Sequence, residues 1–464
     1  MFTANEITKI TKGKILNRSV TASTAAGVSI DSRTIKKGEL FVAIGGERYD
    51  GHDFVGEAMK KGARGAIISA KKIAYIKEKI GRGFNPENNI FFAAVGNTLK
   101  ALGELARFHR ERFDIPAIAV TGSNGKTTTK EMIAASLGGE WRPLKNSGTR
   151  NNLVGVPMTL FKLTDSYQSL VVELGMNKKG EIRELAEISR PNIGIITNIG
   201  PSHLQYLGDL NGVYRAKREL LDFLGRGDIA LLNDDDPILS KFKGRNPKVL
   251  RFGMGEGADF RAENIKKEDR GWSFKVAGES YTLHLPAYHD IYNALAAISI
   301  GALFNVSPAK MREALADYVS LDKRMVRGII EGIEFIDDTY NSNPLSMRSA
   351  IATLSGYSAK GNKILISGDM LELGKKSAYY HSKIGELVAE SDIDKFISVG
   401  KLARNSFAAA KRRGMQDAWF CETKKEAASI LRRVAKPDDV VLIKGSRGMQ
   451  MEEVIKCFTI SYTR

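Results

Sequence analysis

The sequence has few cysteines and no hydrophobic run long enough to cross a membrane. Its two cysteines, Cys421 and Cys457, form neither a metal-binding spacing nor a disulfide framework, which suits a reducing compartment. No apolar stretch approaches the roughly 20 residues that span a bilayer. Residues 1–6 also lack the basic and then apolar pattern of a signal peptide. We therefore expect a cytoplasmic protein without membrane insertion.

Internal repeats, low-complexity tracts and blocks of basic residues are also missing. The formal net charge is nevertheless +17 and the pI is about 9.6. Such a charge favours an anionic partner, such as a nucleotide, a diphosphate or nucleic acid. A bland basic surface explains the same charge, so composition alone leaves the partner open.

The length of the chain predicts more than one domain. At 464 residues the chain is too long for a single compact core, and typical domain sizes predict about three domains. Asp114-Ile115-Pro116 interrupts a helix, and from there apolar strands alternate with amphipathic helices, which predicts parallel sheets covered by helices. We predict an α/β protein with an N-terminal α/β domain (1–113), a central P-loop domain with a mostly parallel sheet (114–318) and a C-terminal Rossmann-like domain (319–464).

The strongest local signal is a glycine-rich turn between a predicted strand and a predicted helix. Residues 120–129 read Val-Thr-Gly-Ser-Asn-Gly-Lys-Thr-Thr-Thr. Glycines allow the backbone amides to face a phosphate, and the following helix adds its positive end. Lys126 is then expected on the β- and γ-phosphates of ATP and the Thr127 hydroxyl on Mg²⁺. Predicted ATP contacts are Gly122, Ser123, Asn124, Gly125, Lys126, Thr127 and Thr128.

This loop alone does not separate a ligase from a transporter ATPase or a helicase. Val120 occupies the position of the first glycine in the general phosphate-loop pattern, so only T-G-x-x-G-K-T remains. Further motifs follow in order along nearly the whole chain. They are Asp31-Ser32-Arg33, residues 148–157, 172–177, 197–204, 214–219, 289–297, 338–344, 367–374 and 444–449.

With these motifs the sequence resembles the Mur ligase family, the ATP-dependent ligases of bacterial cell-wall synthesis. The resemblance implies that a carboxylate is activated as an acyl phosphate before an amine attacks it. It also implies a catalytic set of Lys126, Glu173, His203 and Lys217. In this family Thr127, Glu173, His203 and a carbamoylated lysine, here Lys217, support Mg²⁺. From the residues alone, Glu173 is a surface carboxylate, His203 a structural histidine and Lys217 a solvated helix lysine.

The resemblance also implies nucleotide and substrate contacts. Further ATP contacts are expected from Asn293, Arg324 and Asp338. Asp290 stands where relatives usually carry Asn, so a base contact from that position is left open. Expected substrate-binding residues are Ser32, Arg33, Asn151, Asn152, Asn341, Asn343, Lys444 and Arg447.

The motifs after residue 338 resemble the branch of the family that adds D-alanyl-D-alanine. The Asp-Asn-Pro-Arg motif of the tripeptide-forming branch is absent. This implies ATP and Mg²⁺ as cofactors, UDP-N-acetylmuramoyl-tripeptide and D-alanyl-D-alanine as substrates, and a monomer. Alternatives are the tripeptide-forming ligase and folylpolyglutamate synthetase. A nucleic-acid-binding P-loop ATPase is more remote, because basic and aromatic residues are not interleaved as in proteins that stack on bases, and we expect no nucleic-acid partner.

Overall fold

Strands and helices alternate along most of the chain, as the hydrophobic periodicity predicts. The computed structural model describes residues 1–16, 23–46, 48–81, 90–244, 246–269 and 271–460. The chain divides into two units. Unit 1 consists of Met1–Ala119, Arg142–Met176 and Glu181–Ile193, and unit 2 of Val120–Trp141, Asn177–Gly180 and Gly194–Arg464.

The elements are numbered in chain order. The strands are β1 (Phe2–Thr3), β2 (Lys14–Ile15), β3 (Thr24–Ala25), β4 (Val28–Ser29), β5 (Leu40–Val42), β6 (Gly65–Ser69), β7 (Phe91–Val95), β8 (Ala117–Thr121), β9 (Pro143–Lys145), β10 (Ser169–Glu173), β11 (Ile193–Ile196), β12 (Ile229–Asn233), β13 (Lys248–Gly253), β14 (Phe260–Arg261), β15 (Glu263–Glu268), β16 (Gly271–Val276), β17 (Glu279–Leu283), β18 (Val326–Ile330), β19 (Ile333–Asp338), β20 (Lys363–Gly368), β21 (Lys395–Val399), β22 (Ala418–Cys421) and β23 (Val440–Lys444). The α-helices are α1 (Ala4–Thr11), α2 (Val55–Lys60), α3 (Ile73–Ile80), α4 (Thr98–Arg110), α5 (Lys126–Leu137), α6 (Gly155–Leu160), α7 (Glu181–Ser189), α8 (Leu204–Leu207), α9 (Leu210–Phe223), α10 (Asp290–Leu303), α11 (Pro308–Ala316), α12 (Pro344–Ser355), α13 (Ser377–Ala389), α14 (Arg404–Arg412), α15 (Lys424–Val434) and α16 (Glu452–Ile460). No helix in these described ranges is long and apolar enough to cross a bilayer.

Unit 1 contains a five-stranded sheet with the order β2-β7-β6-β5-β4. Strands β4 to β7 are parallel, and β2 runs antiparallel to β7. Every residue of β5 and β7 is buried, as is typical of parallel strands covered on both faces. The Asp31-Ser32-Arg33 segment follows the carboxyl end of β4, the edge of a parallel sheet at which ligands bind.

The buried Arg110 fixes the end of α4 and the approach to β8. Its guanidinium donates to the backbone carbonyls of Ser189 at 3.2 Å, Phe113 at 2.6 Å and Ile115 at 2.8 Å. Three carbonyl partners allow the charged group to be buried at the point where the sequence predicts a helix break. Strand β8 then begins as predicted, and β9 and β10 pair in parallel.

Unit 2 contains neighbouring strands β11, β12, β13 and β14, of which the last three pair in parallel. It also contains a six-stranded sheet with the order β18-β19-β23-β20-β21-β22. That sheet is parallel except for its edge strand β18. The predicted α/β class with parallel sheets and intervening helices is therefore confirmed. The boundaries of the three predicted domains stay a prediction.

The antiparallel meander β15-β16-β17 was not predicted. Strand β15 has the sequence Glu-Asn-Ile-Lys-Lys-Glu and is almost wholly exposed. Because its side chains are polar, no apolar alternation marks it as a strand.

Candidate active site

The phosphate loop joins β8 to α5 through two glycines with positive φ. The φ angles are +152° at Gly122 and +79° at Gly125. A Cβ atom on Gly122 would lie 1.8 Å from Oγ1 of Thr197, and one on Gly125 would lie 2.4 Å from Oδ1 of Asn293. Glycine is therefore required at both positions. The first-turn amides of α5, which lack intrahelical partners, begin directly after this turn.

The segment after β11 holds the loop in place. Oγ1 of Thr197 donates to the carbonyl of Asn124 at 2.6 Å, and the amide N–H of Asn124 donates to Oδ1 of Asn198 at 2.9 Å. The amide N–H of Ser123 donates to the Asn198 carbonyl, and its hydroxyl to the carbonyl of Gly200 at 2.9 Å. The backbone amides of Ser123 and Asn124 thus already have protein partners. The amides at the start of α5, by contrast, belong to a helix N-terminus, where the first N–H groups lack intrahelical partners.

Two lysines converge on one carbonyl oxygen of the loop. Nζ of Lys126 donates to the carbonyls of Gly122 at 2.8 Å and Ser123 at 3.2 Å. Nζ of Lys217, on α9, donates to the same Gly122 oxygen at 2.8 Å. Lys217 is only 2% exposed. The structure therefore contradicts the interpretation of Lys217 as a solvated helix lysine and brings two predicted catalytic lysines together.

Thr127 and Arg324 are also brought together. Thr127 is buried in the first turn of α5, and its Oγ1 accepts a hydrogen bond from the Arg324 guanidinium at 3.1 Å. The same guanidinium lies 3.9 Å from the ring centroid of Tyr340, a cation–π contact. Thr128 is partly exposed on the same turn. Arg324 therefore places a guanidinium beside the first turn of α5.

Asn293 on α10 packs against the loop through a chain of hydrogen bonds. Its Oδ1 accepts from the Thr129 hydroxyl at 3.0 Å, and its Nδ2 donates to Oδ1 of Asp290 at 3.0 Å. Asp290 is buried, and burial raises the pKa of its carboxyl. Asp290 therefore contacts the Asn293 amide, next to Gly125.

Replacing Asp290 with leucine is expected to raise the KM for ATP about tenfold, equal to about 1.4 kcal/mol. Leucine leaves Nδ2 of Asn293 buried without an acceptor, and a buried unpaired donor costs about 1–3 kcal/mol. Asp290→Asn keeps an acceptor oxygen and is expected to change this KM far less. Steady-state kinetics with ATP varied would check both variants. An unchanged KM in Asp290→Leu would contradict the role of Asp290 in orienting Asn293.

A cavity of about 690 Å³ in unit 2 adjoins the loop. This volume is typical of small-molecule sites. Its lining includes Asn124, Gly125, Asn293, Trp272 and Tyr288. The two aromatic rings lie edge to face with centroids 5.0 Å apart. Aromatic surface beside a phosphate loop suits the planar base of a nucleotide.

Predicted residues at the ends of two parallel strands of the six-stranded sheet form a buried ion pair. Nζ of Lys444, at the end of β23, lies 2.5 Å from Oδ2 of Asp338, at the end of β19. The same ammonium donates to the carbonyl of Asn341 at 2.9 Å. Lys444 is only 3% exposed. Its position indicates that it fixes the Asp338–Asn341 turn, a role separate from the substrate contact expected from the motif.

The predicted substrate residue Asn343 pairs with the phosphate loop. Asn343 Nδ2 donates to Asn124 Oδ1 at 2.7 Å, and Asn124 Nδ2 donates to Asn343 Oδ1 at 3.2 Å. Oδ1 of Asn343 also accepts from the Ser346 N–H as the N-cap of α12. The start of α12 is thereby joined to the loop.

Glu452 binds two cationic side chains, one of which is the predicted substrate residue Arg447. Oε1 of Glu452 lies 2.9 Å from NH1 of Arg447 and 2.8 Å from Nζ of Lys323. Burial alone raises the pKa of the Glu452 carboxyl, but hydrogen bonds from Lys323 and Arg447 help to hold it down to about 2. Oδ1 of Asn341 accepts from the backbone N–H of Arg447 at 3.3 Å.

The lowered pKa of Glu452 gives a pH dependence. A carboxyl whose pKa is lowered in the folded state stabilises the fold at pH values above its ordinary pKa of 4.5. This contribution is lost as the pH falls toward about 2. Glu452→Gln is therefore expected to lower the free energy of unfolding at pH 7 by about 1–3 kcal/mol. The difference from wild type is expected to shrink below pH 4.5. Urea titrations of both proteins across this range would check it, and a difference independent of pH would contradict it.

His203 faces a carboxylate. Its Nδ1 lies 2.6 Å from Oε2 of Glu372, and the nearby ring lowers the pKa of Glu372. The backbone of His203 has a φ of +53°, and α8 begins at the next residue. A histidine whose Nδ1 faces a carboxylate presents Nε2 for other contacts, as metal-binding histidines do.

Glu173 ends strand β10 in unit 1 and is only 1% exposed. Its backbone N–H donates to Oδ1 of Asn146 at 2.9 Å, and its Oε1 accepts from Nδ2 of Asn151 at 2.7 Å. Its other carboxylate oxygen, Oε2, is buried and has no hydrogen-bond partner among the residues that the structure describes. Glu173 is therefore a buried carboxylate, which contradicts its interpretation as a surface residue.

The remaining predicted substrate residues also lie in unit 1. Oδ1 of Asn152 accepts from the N–H of Gly155 at 2.8 Å at the start of α6. Ser32 is buried, and its hydroxyl donates to Oε2 of Glu57 at 3.0 Å. The side chain of Arg33 is 82% exposed and pairs with Asp31. The hydrogen bond from Arg33 lowers the pKa of the Asp31 carboxyl to about 2. Their roles in binding substrate stay predictions.

Sequence reasoning assigned no role to Asn146, Thr129 or Glu372, although each contacts a predicted site residue. Asn146 and Thr129 are fully buried, whereas polar residues of these types are usually exposed. In the sequence, Asn146 stands in an ordinary polar loop, and Thr129 is one of three successive threonines. Glu372 lies in the motif of residues 367–374, but only the fold shows that it faces His203.

Comparison with known proteins gives matches along nearly the whole chain. Three family profiles match separate ranges: "Mur ligase family, catalytic domain" at residues 24–110, "Mur ligase middle domain" at 120–301 and "Mur ligase, glutamate ligase domain" at 324–447. The UDP-N-acetylmuramoyl-tripeptide–D-alanyl-D-alanine ligase of Bacillus subtilis is 32% identical over 458 residues, which are 98% of this chain and 97% of the relative. The ligase of the same name from Escherichia coli is 32% identical, with 98% and 97% covered.

Solved structures agree with this similarity. A crystal structure of MurF from Acinetobacter baumannii has a TM-score of 0.88 and 29% identity, and 98% of each chain is covered. MurF from Thermotoga maritima, solved in complex with ADP, has a TM-score of 0.81 and 26% identity, with 94% of this chain and 97% of that one covered.

Proposed function

Because this chain belongs to the Mur ligase family, we propose that it is the ligase that joins D-alanyl-D-alanine to UDP-N-acetylmuramoyl-tripeptide with ATP. The reaction forms a C–N bond in peptidoglycan synthesis. The observation that carries it is the 32% identity to the Bacillus subtilis ligase across 98% of this chain. The phosphate loop supplies the ATP-binding element that such a ligase needs.

In the first step, an oxygen of the terminal carboxylate of the tripeptide attacks the γ-phosphorus of ATP. The bond from that phosphorus to the bridging oxygen breaks, so ADP leaves and an acyl phosphate forms. The Lys126 ammonium, which donates to the carbonyls of Gly122 and Ser123 in the structure, donates instead to phosphate oxygens when ATP is bound. The first backbone amides of α5 bind the same oxygens. Arg324, at the Thr127 hydroxyl, adds a second cation to the transferring group.

In the second step, the amine of D-alanyl-D-alanine attacks the acyl carbonyl carbon. Phosphate leaves with the electron pair of the broken C–O bond, and the amine nitrogen loses a proton. Arg447 retains guanidinium donors beyond the one that binds Glu452, so it can bind the dipeptide carboxylate. Since an acyl phosphate hydrolyses readily, water must be excluded while the amine binds.

One residue of the proposed metal set, Glu173, has the chemistry of a magnesium ligand. A buried carboxylate oxygen without a protein partner, such as Oε2 of Glu173, is a suitable ligand for a hard cation. The family pattern assigns Mg²⁺ to Thr127, Glu173, His203 and a carbamate on Lys217. When bound, Mg²⁺ supplies positive charge that neutralises the phosphate oxygens. His203 keeps Nε2 for this purpose because Nδ1 faces Glu372.

Carbamoylation of Lys217 is supported by its surroundings. Its amine is buried and shares the Gly122 oxygen with the ammonium of Lys126, so two cationic side chains lie close together. A carbamate on Lys217 carries a negative charge, so it attracts the Lys126 ammonium, whereas two ammonium groups would repel each other. We therefore keep Lys217 as a carbamoylated residue of the site.

The nucleotide is assigned to the cavity beside the loop. Trp272 and Tyr288 provide apolar surface for the base, and Asn293, which lines the same cavity, is assigned to the adenine. Asp338 is assigned to the ribose. The UDP-sugar and peptide are assigned to Ser32, Arg33, Asn152, Asn341, Asn343 and Arg447, whereas Lys444 is assigned to the Asp338–Asn341 turn.

We further propose three domains at 1–113, 114–318 and 319–464, which the three separate profile matches support. We also propose a cytoplasmic location, because the substrates are ATP and soluble precursors, and a monomer, as the family resemblance implies.

The decisive experiment measures pentapeptide and ADP with UDP-N-acetylmuramoyl-tripeptide, D-alanyl-D-alanine and ATP, omitting each in turn. We expect one new peptide bond per ADP, and only with all three present. Absence of a new peptide bond in the complete mixture would overturn the proposal. A UDP-N-acetylmuramoyl-dipeptide with a diamino acid tests the tripeptide-forming alternative, and a folate with glutamate tests the folylpolyglutamate alternative. We expect no ADP release with either pair.

A further inference from the structure

Glu173 is held by two asparagines of the loop between β9 and α6. Asn146 fixes its backbone, because Oδ1 accepts from the Glu173 N–H at 2.9 Å and Nδ2 donates to the Glu173 carbonyl at 3.3 Å. Asn151 contacts the side chain, because its Nδ2 donates to Oε1 at 2.7 Å. All of these atoms lie in unit 1. The loop thus sets both the position of the strand end and the direction of its carboxylate.

The two carboxylate oxygens of Glu173 have different surroundings. Oε1 is occupied by Asn151, whereas Oε2 is buried and has no hydrogen-bond partner within the described part of the chain. An ionised carboxylate accepts through both oxygens. Oε2 is therefore the oxygen available to a cation. The hydrogen bond from the Asn151 amide to Oε1 keeps the Glu173 carboxylate in one orientation.

Gly175 gives Asn151 the space to make this contact. A Cβ atom at Gly175 would lie 2.6 Å from Cγ and from Oδ1 of Asn151 and 2.7 Å from Nδ2. The backbone N–H of Gly175 donates to the Asn151 carbonyl at 2.9 Å, which keeps the two residues together. A methyl group at position 175 must therefore displace the Asn151 amide from Glu173.

We propose that Asn151 is a positioning residue that orients Glu173 for a divalent cation, and that Gly175 is small in order to admit its amide. This inference rests on the proposed function, since that assigns the cation to Glu173. It changes the role expected for Asn151 from the family motif, which places it at the substrate.

The test measures Mn²⁺ affinity by electron paramagnetic resonance with saturating ADP and neither cell-wall precursor present. Loss of a group that orients a metal ligand lowers affinity by about 10- to 100-fold. We expect a loss of this size in Asn151→Ala. We expect a larger loss in Asn151→Asp, because the aspartate lacks a donor and repels Glu173.

Gly175→Ala is the second variant and retains Asn151 itself. We expect it to reproduce the loss of Mn²⁺ affinity in Asn151→Ala, and we expect the double variant to lose no more than either one. Additive losses in the double variant would overturn the proposal, since they would show two independent effects. If Asn151→Ala fails to fold, the Mn²⁺ affinity of Gly175→Ala alone tests the proposal: a loss supports it, and an unchanged affinity overturns it.

Asn192→Ala is the matched control. This asparagine is also in unit 1, and its Oδ1 accepts from the Ala117 N–H at 2.8 Å. We expect its Mn²⁺ affinity to equal that of wild type. Unchanged Mn²⁺ affinity in Asn151→Ala, with a raised KM for UDP-N-acetylmuramoyl-tripeptide, would overturn the proposal in favour of a substrate contact.

The two proposals fail in different ways. If wild type makes the pentapeptide but neither Asn151→Ala nor Gly175→Ala changes Mn²⁺ affinity, the positioning role is wrong and the ligase function stands. If wild type makes no peptide bond but the variants lose Mn²⁺ affinity as expected, the ligase function is wrong and the positioning role stands.

Discussion

Replacing Lys126 with alanine is expected to lower kcat for pentapeptide formation by about 10³-fold or more, because the transferring phosphoryl group loses a cation of the phosphate loop. The fold of the loop is expected to survive. Lys217 still donates to the Gly122 carbonyl, and residues 197–200 still hold Ser123 and Asn124. The loss should therefore be in the chemical step, with little change in the free energy of unfolding.

Steady-state release of phosphate and urea titrations of the same preparations would measure the two quantities. Lys360→Ala, at an exposed position far along the chain, serves as the control and is expected to match wild type in both. A kcat for Lys126→Ala within a factor of a few of wild type would contradict the assignment of this lysine to the transferred phosphate.

The parallel sheets and the phosphate loop could be predicted because their signals are local. Strands such as β8 and β23 are short apolar runs next to turns, and the Gly122-to-Thr127 pattern specifies its own turn and helix start. The meander β15-β17 could not be predicted in this way. Its first strand is polar, and only pairing with its neighbour makes it a strand.

The contacts of the predicted site residues could not be predicted from the sequence. The sequence alone predicts a solvated lysine at position 217, but the fold buries Lys217 against the loop carbonyl of Gly122. The pairs Asn124–Asn343 and Asn151–Glu173 each join residues that are distant in the sequence. No periodicity encodes such contacts, because they depend on how separate elements meet.

Replacing Lys217 with alanine is expected to lower kcat by about 10²- to 10³-fold. The proposed carbamate supplies a negative, carboxylate-like group in a buried position, and alanine removes it. Lys217→Glu restores a carboxylate, although on a shorter side chain, and is expected to retain more activity than Lys217→Ala. Lys217→Arg keeps a cation that carbon dioxide cannot carbamoylate, so it is expected to be as inactive as the alanine variant.

Dependence on carbon dioxide separates a carbamate from a lysine that acts as a cation. Wild-type activity is expected to fall in buffer depleted of carbon dioxide and to return when bicarbonate is added, because a carbamate forms reversibly from the neutral amine and carbon dioxide. Lys217→Glu is expected to be insensitive to both treatments. If Lys217→Arg retained wild-type activity and wild type ignored carbon dioxide, the charge at Lys217 would have to be positive in the active enzyme. The shared Gly122 carbonyl would then hold two permanent cations beside the phosphates of ATP.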